Sequence, residues 1–221
     1  MKALIAGASG LIGGHLLRQL LQNPTVRHVV SLVRKPLQLS HIKLQEIIFD
    51  FDNPKHYEEL PAADAVFCCL GTTIKEAGSK EAFRKVDYKY PLALAKAMRS
   101  KGANHFLVVT ALGSNAQSVV FYSRVKGQLE QQLIDLQYPS LSIFQPSLLL
   151  GERKERRLGE DLAKLFITMI TPLLAGGLRK YRAIQGADVA KAMLKIAMQP
   201  ASGVCRYPSD EIQEIADHFR I

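Results

Sequence analysis

Residues 2 to 14, KALIAGASGLIGG, constrain the fold more than any other stretch of the chain. Lys2 to Ala6 is an apolar run too short for a helix, and reads as a buried strand. Gly7, Gly10 and Gly13 follow in the spacing GxxGxxG, and then LIGGHLLRQLLQ sets Leu11, Ile12, Leu16, Leu17, Leu20 and Leu21 at helical spacing. Strand, glycine turn and helix in that order open a dinucleotide-binding fold. Each glycine has its own task there. Gly7 permits the tight turn, Gly10 lets backbone N–H groups approach a pyrophosphate at the positive helix end, and Gly13 lets helix and strand pack closely. The hydroxyl of Ser9 is a further phosphate contact.

A chain of 221 residues without a Pro/Gly/Ser-rich linker is expected to form one α/β domain over 1–221. Cys68, Cys69 and Cys205 give neither a disulfide framework nor metal-ligand spacing, and read as core thiols of a protein in a reducing compartment, with no metal centre. Met1 leads straight into the first strand, which leaves no room for a signal peptide and gives a cytoplasmic expectation. The apolar stretch Leu165 to Ala175 is broken by Pro172 and falls short of the roughly 20 residues that span a bilayer. The net charge of +9 suits anionic partners. The basic residues are scattered and lack interleaved aromatics, which favours a phosphate-bearing cofactor and a small-molecule substrate over nucleic acid. The sequence is compatible with a homo-oligomer and does not specify one.

Further strands follow the first. His28 to Val33 ends at Arg34, Lys35 and Pro36, where an NAD site would carry an acid for the ribose 2′-OH; the two cations point instead to a 2′-phosphate, hence NADP(H). Glu46 to Phe49 is a third strand whose end brings Asp50 and Phe51 to the adenine, while Asp52, before Asn53-Pro54, reads as a turn carboxylate. Ala65 to Leu70 has the continuous apolar character of a strand buried on both faces, with Gly71 and Thr72 near the ribose or nicotinamide. A helical region spans about 80–100. His105 to Val109 is a fifth strand, followed by the polar loop Thr110 to Ser118 and a helix from Phe121 to Leu136. That helix places Tyr122 and Lys126 four residues apart on one face, so that the ammonium can stabilise a phenolate and fit the tyrosine for acid–base work. A sixth strand runs from Leu141 to Gln145. The segment 151–187, with Arg153 to Arg157, a helix Leu162 to Leu174 and a Gly176-Gly177 turn, is expected to cover the substrate; Asp188 to Met198 returns to the core, and Ser209 N-caps a last helix.

GASGLIG, FCCLGTT and FYSRVKGQLE, in that order and spacing, resemble the atypical short-chain dehydrogenase/reductases of the Tat-interacting-protein 2 type, from Met1 to about Lys195. The resemblance implies a Rossmann-like, doubly wound α/β fold with a mainly parallel sheet and helices on both faces. It implies NADPH binding, with Tyr122 as proton donor and Lys126 on the nicotinamide ribose. It places Ser9, Gly10, Leu11, Ile12, Arg34, Lys35, Leu70, Gly71, Leu149 and Arg157 on the cofactor, puts Thr110 where the family has its catalytic serine, and sets Pro146 beside the nicotinamide. The expected activity is reduction of a small carbonyl or enone-like substrate; the alternative is an NADPH-binding regulator without turnover.

Overall fold

The computed structural model describes residues 1–151 and 176–219. Its order is β1 (Lys2–Ala6), α1 (Leu11–Gln22), β2 (His28–Val33), β3 (Leu44–Ile48), α2 (Pro54–Glu58), β4 (Ala65–Cys68), α3 (Ile74–Ala77) and α4 (Lys80–Arg84). A π-helical segment, Lys85–Lys89, leads into α5 (Tyr90–Ser100), then β5 (His105–Val109), α6 (Phe121–Asp135), β6 (Ser140–Gln145) and β7 (Leu149–Leu150). After the 3₁₀ helix Gly176–Tyr181 come β8 (Ile184–Gln185), α7 (Gly186–Met198), β9 (Gly203–Pro208) and α8 (Ser209–Asp217).

Seven strands form one sheet in the order β3-β2-β1-β4-β5-β6-β9, and every pair in it is parallel. This is the doubly wound Rossmann-like arrangement, with the strand order reversing between β1 and β4. Side chains alternate across the pleat. Ala3, Ile5, Val29, Phe67, Leu107 and Phe144 join α1, α7 and α8 in one core, whereas Leu4, Ala6, Val30, Val66, Phe106 and Ile143 join α5 and α6 in the other. Burial on both faces explains why β1, β4 and β5 read as continuous apolar runs.

Several elements differ from the sequence expectation. β3 runs Leu44–Ile48 rather than 46–49; it is the edge strand, only partly covered, so its apolar content marks its ends poorly. The 80–100 region is not one helix but α4, the π-helical segment and α5. Gly203–Pro208 is a full strand paired with β6, although only Val204 and Cys205 stand out as apolar, because its side chains are mostly exposed or half-buried. Gly176-Gly177 opens a 3₁₀ helix rather than a turn. Ser209 does not cap α8: Pro208 holds the cap position, and the Ser209 hydroxyl instead accepts the Ser147 N–H at 2.8 Å and donates to Ser147 Oγ at 3.0 Å. Arg153 to Arg157 and the expected helix 162–174 lie outside the described residues.

Candidate active site

In a parallel sheet all strands end at one edge, so Gly7, Arg34, Asp50, Leu70, Thr110 and Pro146, which follow six different strands, are brought to a common rim. The glycine turn sits at the reversal point. Gly7 has φ +92°, and a Cβ on it would lie 2.6 Å from the Cys69 carbonyl carbon, so the turn is wedged against the end of β4. On Gly13 a Cβ would lie 2.1 Å from the Gly7 oxygen. Gly10 differs: its nearest protein atom would be the Gly7 oxygen at 3.3 Å, so its outer side is open. Among the described residues no side chain caps α1, and no acid lies in its first turn. Its leading N–H groups are therefore free to meet an anion, which fits a pyrophosphate. Ser9 and Gly10 are exposed and Leu11 half-buried, but the Ile12 side chain is in the core, leaving only its backbone to face a ligand.

Arg34 and Lys35 are exposed at the end of β2, with no hydrogen bond or ion pair to the described residues. The two carboxylates beyond β3 are both tied into local structure. Asp50 is the turn carboxylate, its Oδ1 accepting the Asp52 N–H at 2.9 Å, and Asp52 pairs with Lys85 Nζ at 2.9 Å. Phe51 packs edge-on against Phe49 at 4.8 Å between ring centroids and lies 5.3 Å from Tyr90, half-buried. Leu149 is half-buried against the α1 core, and Pro146 is buried with its carbonyl accepting the Leu112 N–H at 3.0 Å. Arg157 lies outside the described residues.

α6 carries the acid–base residues. Tyr122 is 36% exposed, its ring 5.6 Å from that of the buried Phe83, and its hydroxyl makes no hydrogen bond to the described residues. One turn further, Lys126 is buried, and its ammonium lies 2.7 Å from Asp87 Oδ1, a residue the sequence reading did not single out. The second oxygen of Asp87 accepts the Thr72 N–H at 2.9 Å, and the Thr72 hydroxyl donates to Glu76 Oε2 at 3.3 Å. Burial pulls the Lys126 ammonium down, but Asp87 and the nearby Tyr122 outweigh it, and the net direction is up. Burial holds the Asp87 carboxyl above the usual range against the opposing pull of Lys126 and the Thr72 amide. Gly71 covers this pair: a Cβ there would stand 3.5 Å from Asp87 Oδ1 and 3.8 Å from Lys126 Nζ.

Thr110 does not fit the role of a substrate-facing donor. It is 4% exposed, and its hydroxyl donates to Glu130 Oε1 at 2.7 Å. Glu130, two turns below Tyr122 and one below Lys126 on α6, also accepts from Gln145 Nε2 at 2.9 Å and Arg206 Nε at 3.2 Å. Ser114, another hydroxyl of that loop, donates to the Ala111 carbonyl at 2.7 Å. Glu130 is four residues beyond Lys126 within FYSRVKGQLE; that spacing was the available signal, and a helix carboxylate in isolation looks solvated. Among the thiols, burial pushes Cys68 up to about 12 and Cys69 higher, which leaves both unreactive.

Comparison with known proteins follows this geometry. Residues 7–138 match a family described as NAD(P)H-binding. The protein HTATIP2 of Rattus norvegicus is 32% identical over 203 residues, covering 90% of this chain and 82% of its own. The mitochondrial protein FMP52-1 of Scheffersomyces stipitis is 33% identical over 210 residues, covering 90% and 89%. An oxidoreductase structure, ylbE from Lactococcus lactis, superposes with a TM-score of 0.66 at 18% identity over 100% of this chain and 99% of its own, a likeness of fold. The cytoplasmic expectation is corrected by these findings: the FMP52 relatives are mitochondrial. Among the described residues, no helix is long and apolar enough to cross a membrane.

Proposed function

The chain belongs to the NAD(P)H-binding family of the HTATIP2 and FMP52 proteins, and from that premise we propose that it is an NADPH-dependent oxidoreductase of the atypical short-chain dehydrogenase/reductase type, reducing a small carbonyl or enone-like substrate. The observation that carries this reading is the meeting, at one sheet rim, of the uncapped helix after Gly10 with the Tyr122–Lys126 face of α6. The bound cofactor supplies the hydride. The first N–H groups of α1 and the Ser9 hydroxyl hold the pyrophosphate, and Arg34 and Lys35 the 2′-phosphate. Phe51 and Asp50 flank the adenine; Leu70, Gly71 and Thr72 line the ribose, with Pro146 and Leu149 on the nicotinamide side. Lys126 donates to the ribose. Tyr122, whose hydroxyl is bonded to none of the described residues, gives the proton to the substrate oxygen. Thr110 leaves the mechanism, since its proton is spent on Glu130.

That last fact also favours the second reading, an NADPH-occupied regulator without turnover, because the position of the family's catalytic serine then offers no spare donor. The deciding experiment offers the protein stereospecifically deuterated NADPH and a metabolite extract. A metabolite that acquires deuterium, and fails to with Tyr122→Phe, supports the enzyme; none in either case supports the regulator.

Two binding results are expected. NADPH should bind about tenfold or more tighter than NADH, since a hydrogen bond to a charged group contributes about 1.5–3 kcal/mol, and the Arg34→Ala/Lys35→Ala variant should lose the preference. Equal calorimetric affinities for the two cofactors in the wild-type protein would remove the 2′-phosphate assignment. In Gly10→Val the added Cβ meets little protein, so thermal stability should stay near wild type while NADPH binding weakens tenfold or more. Undiminished binding in that variant would show that the pyrophosphate does not lie over Gly10.

A further inference from the structure

Beneath the proposed ribose subsite lies a carboxylate to which the reaction assigns no step. Asp87 is 1% exposed, at the centre of the π-helical segment Lys85–Lys89. Its oxygens are divided between Lys126 Nζ at 2.7 Å and the Thr72 N–H at 2.9 Å. The wider turn of a π segment re-aims the residues it carries, and such segments recur at functional sites. Here Asp87 faces inward, while Lys85 reaches Asp52 in the loop after β3. Arg84, just before the segment, donates to Gln128 of α6 at 2.7 Å. The carboxylate is thus held by two partners on a segment anchored at Lys85 and Arg84, and the Lys126 ammonium is held by it, directly under the exposed Gly71.

We propose that Asp87 is the positioning residue of this subsite: its carboxylate keeps the buried Lys126 side chain charged and aimed at Gly71, so that dinucleotide binding depends on a group the dinucleotide does not touch. The proposal rests on the reading that Lys126 holds the nicotinamide ribose. A buried ammonium without a counter-charge favours the neutral amine, and an amine is the weaker donor to a ribose hydroxyl. The other titratable groups that face the pair are Tyr122 on α6, Cys68 on β4 and Glu76 on α3. Glu76 is the only carboxylate of these three, and it is exposed, with one oxygen accepting the Thr73 N–H. It is a poor substitute for Asp87. On the segment itself, Lys85 and Lys89 act on Asp52.

The sign of the pH effect follows. In Asp87→Asn the ammonium loses the partner that holds it up, so its amine fraction grows as pH rises, and the deficit in binding grows with it. The experiment is calorimetric titration of NADPH into wild type, Asp87→Asn and Lys126→Gln from pH 7 to 9.5. The ratio of variant to wild-type Kd for Asp87→Asn is expected to widen from about 3 at the low end to about 30 at the high end. A ratio near one, or one that stays constant with pH, overturns the proposal, since mere loosening of the structure would not track the lysine proton. Full affinity in Lys126→Gln would remove the ribose role of Lys126 and this proposal with it; weakened binding in Lys126→Gln beside unchanged Asp87→Asn overturns the proposal alone. Should Asp87→Asn not fold, Asp87→Asn/Lys126→Gln carries no orphaned charge, and its affinity should equal that of Lys126→Gln. A further loss in the double variant would show Asp87 acting independently and overturn the proposal.

Discussion

Tyr122→Phe is expected to bind NADPH as the wild type does and to turn over about 10²–10⁴-fold more slowly, the range for removal of a general acid. The substitution takes away one oxygen from a side chain that is 36% exposed and whose hydroxyl is bonded to none of the described residues. The ring that packs on Phe83 stays. A fall in turnover therefore reports the lost proton and not a loosened helix. Steady-state kinetics on the substrate found by deuterium transfer, with calorimetric NADPH titration alongside, is the measurement; full turnover would exclude Tyr122 from the chemistry. Lys126→Ala is the less clean partner experiment, because it strands the Asp87 carboxylate in the core, and breaking a buried pair costs about 3–5 kcal/mol.

Gly127→Ala should destabilise the fold by about 3 kcal/mol, lowering Tm by on the order of 10 °C, even though alanine is the better helix former by about 1 kcal/mol. A Cβ at Gly127 would stand 2.2 Å from the Asn115 carbonyl carbon and 2.3 Å from the Ala116 nitrogen. Both are backbone atoms of the loop after β5, so no side-chain rotation relieves the clash. The loop is held there by the Asn115 N–H donating to the Ser123 carbonyl at 3.1 Å. Gly177→Ala is the control, with no atom of the described residues within 4 Å of its Cβ, and should change stability by no more than about 0.5 kcal/mol. Melting curves followed by circular dichroism compare the two; equal Tm values would mean that α6 and the loop do not touch as described.

What the sequence made legible was local. Gly13 is demanded by contact with Gly7 and Ala8 in the same turn, so the glycine spacing announces it, and the apolar runs of β1, β4 and β5 follow from burial on both faces. What it concealed was distant. Asp87 meets Lys126 across two helices, and an aspartate in a helical stretch rich in lysine is indistinguishable from a solvated one until the chain folds. Thr110 looked like a free hydroxyl because its partner Glu130 is 20 residues away. β9 hid because a sheet-edge strand with few buried side chains has little apolar pattern. Gly127 was a missed opportunity: a glycine inside an otherwise good helix usually has a packing reason.

The helix that follows the glycine turn completes its own packing near the chain's end. Ile12, Leu16, Leu17 and Leu20 of α1 share a core with Val189, Met193 and Leu194 of α7 and Ile212 of α8, and a Cβ on Gly186 would strike the Leu11 side chain at 2.6 Å. During translation, therefore, the first helix made is among the last to be covered. While the ribosome is still adding residues up to about 198, its leucine face meets the sheet but lacks α7, and such transiently exposed apolar surface is where nascent chains aggregate or recruit chaperones. A chain interrupted before α7 would carry the whole GxxGxxG signature without the packing that holds α1 in place.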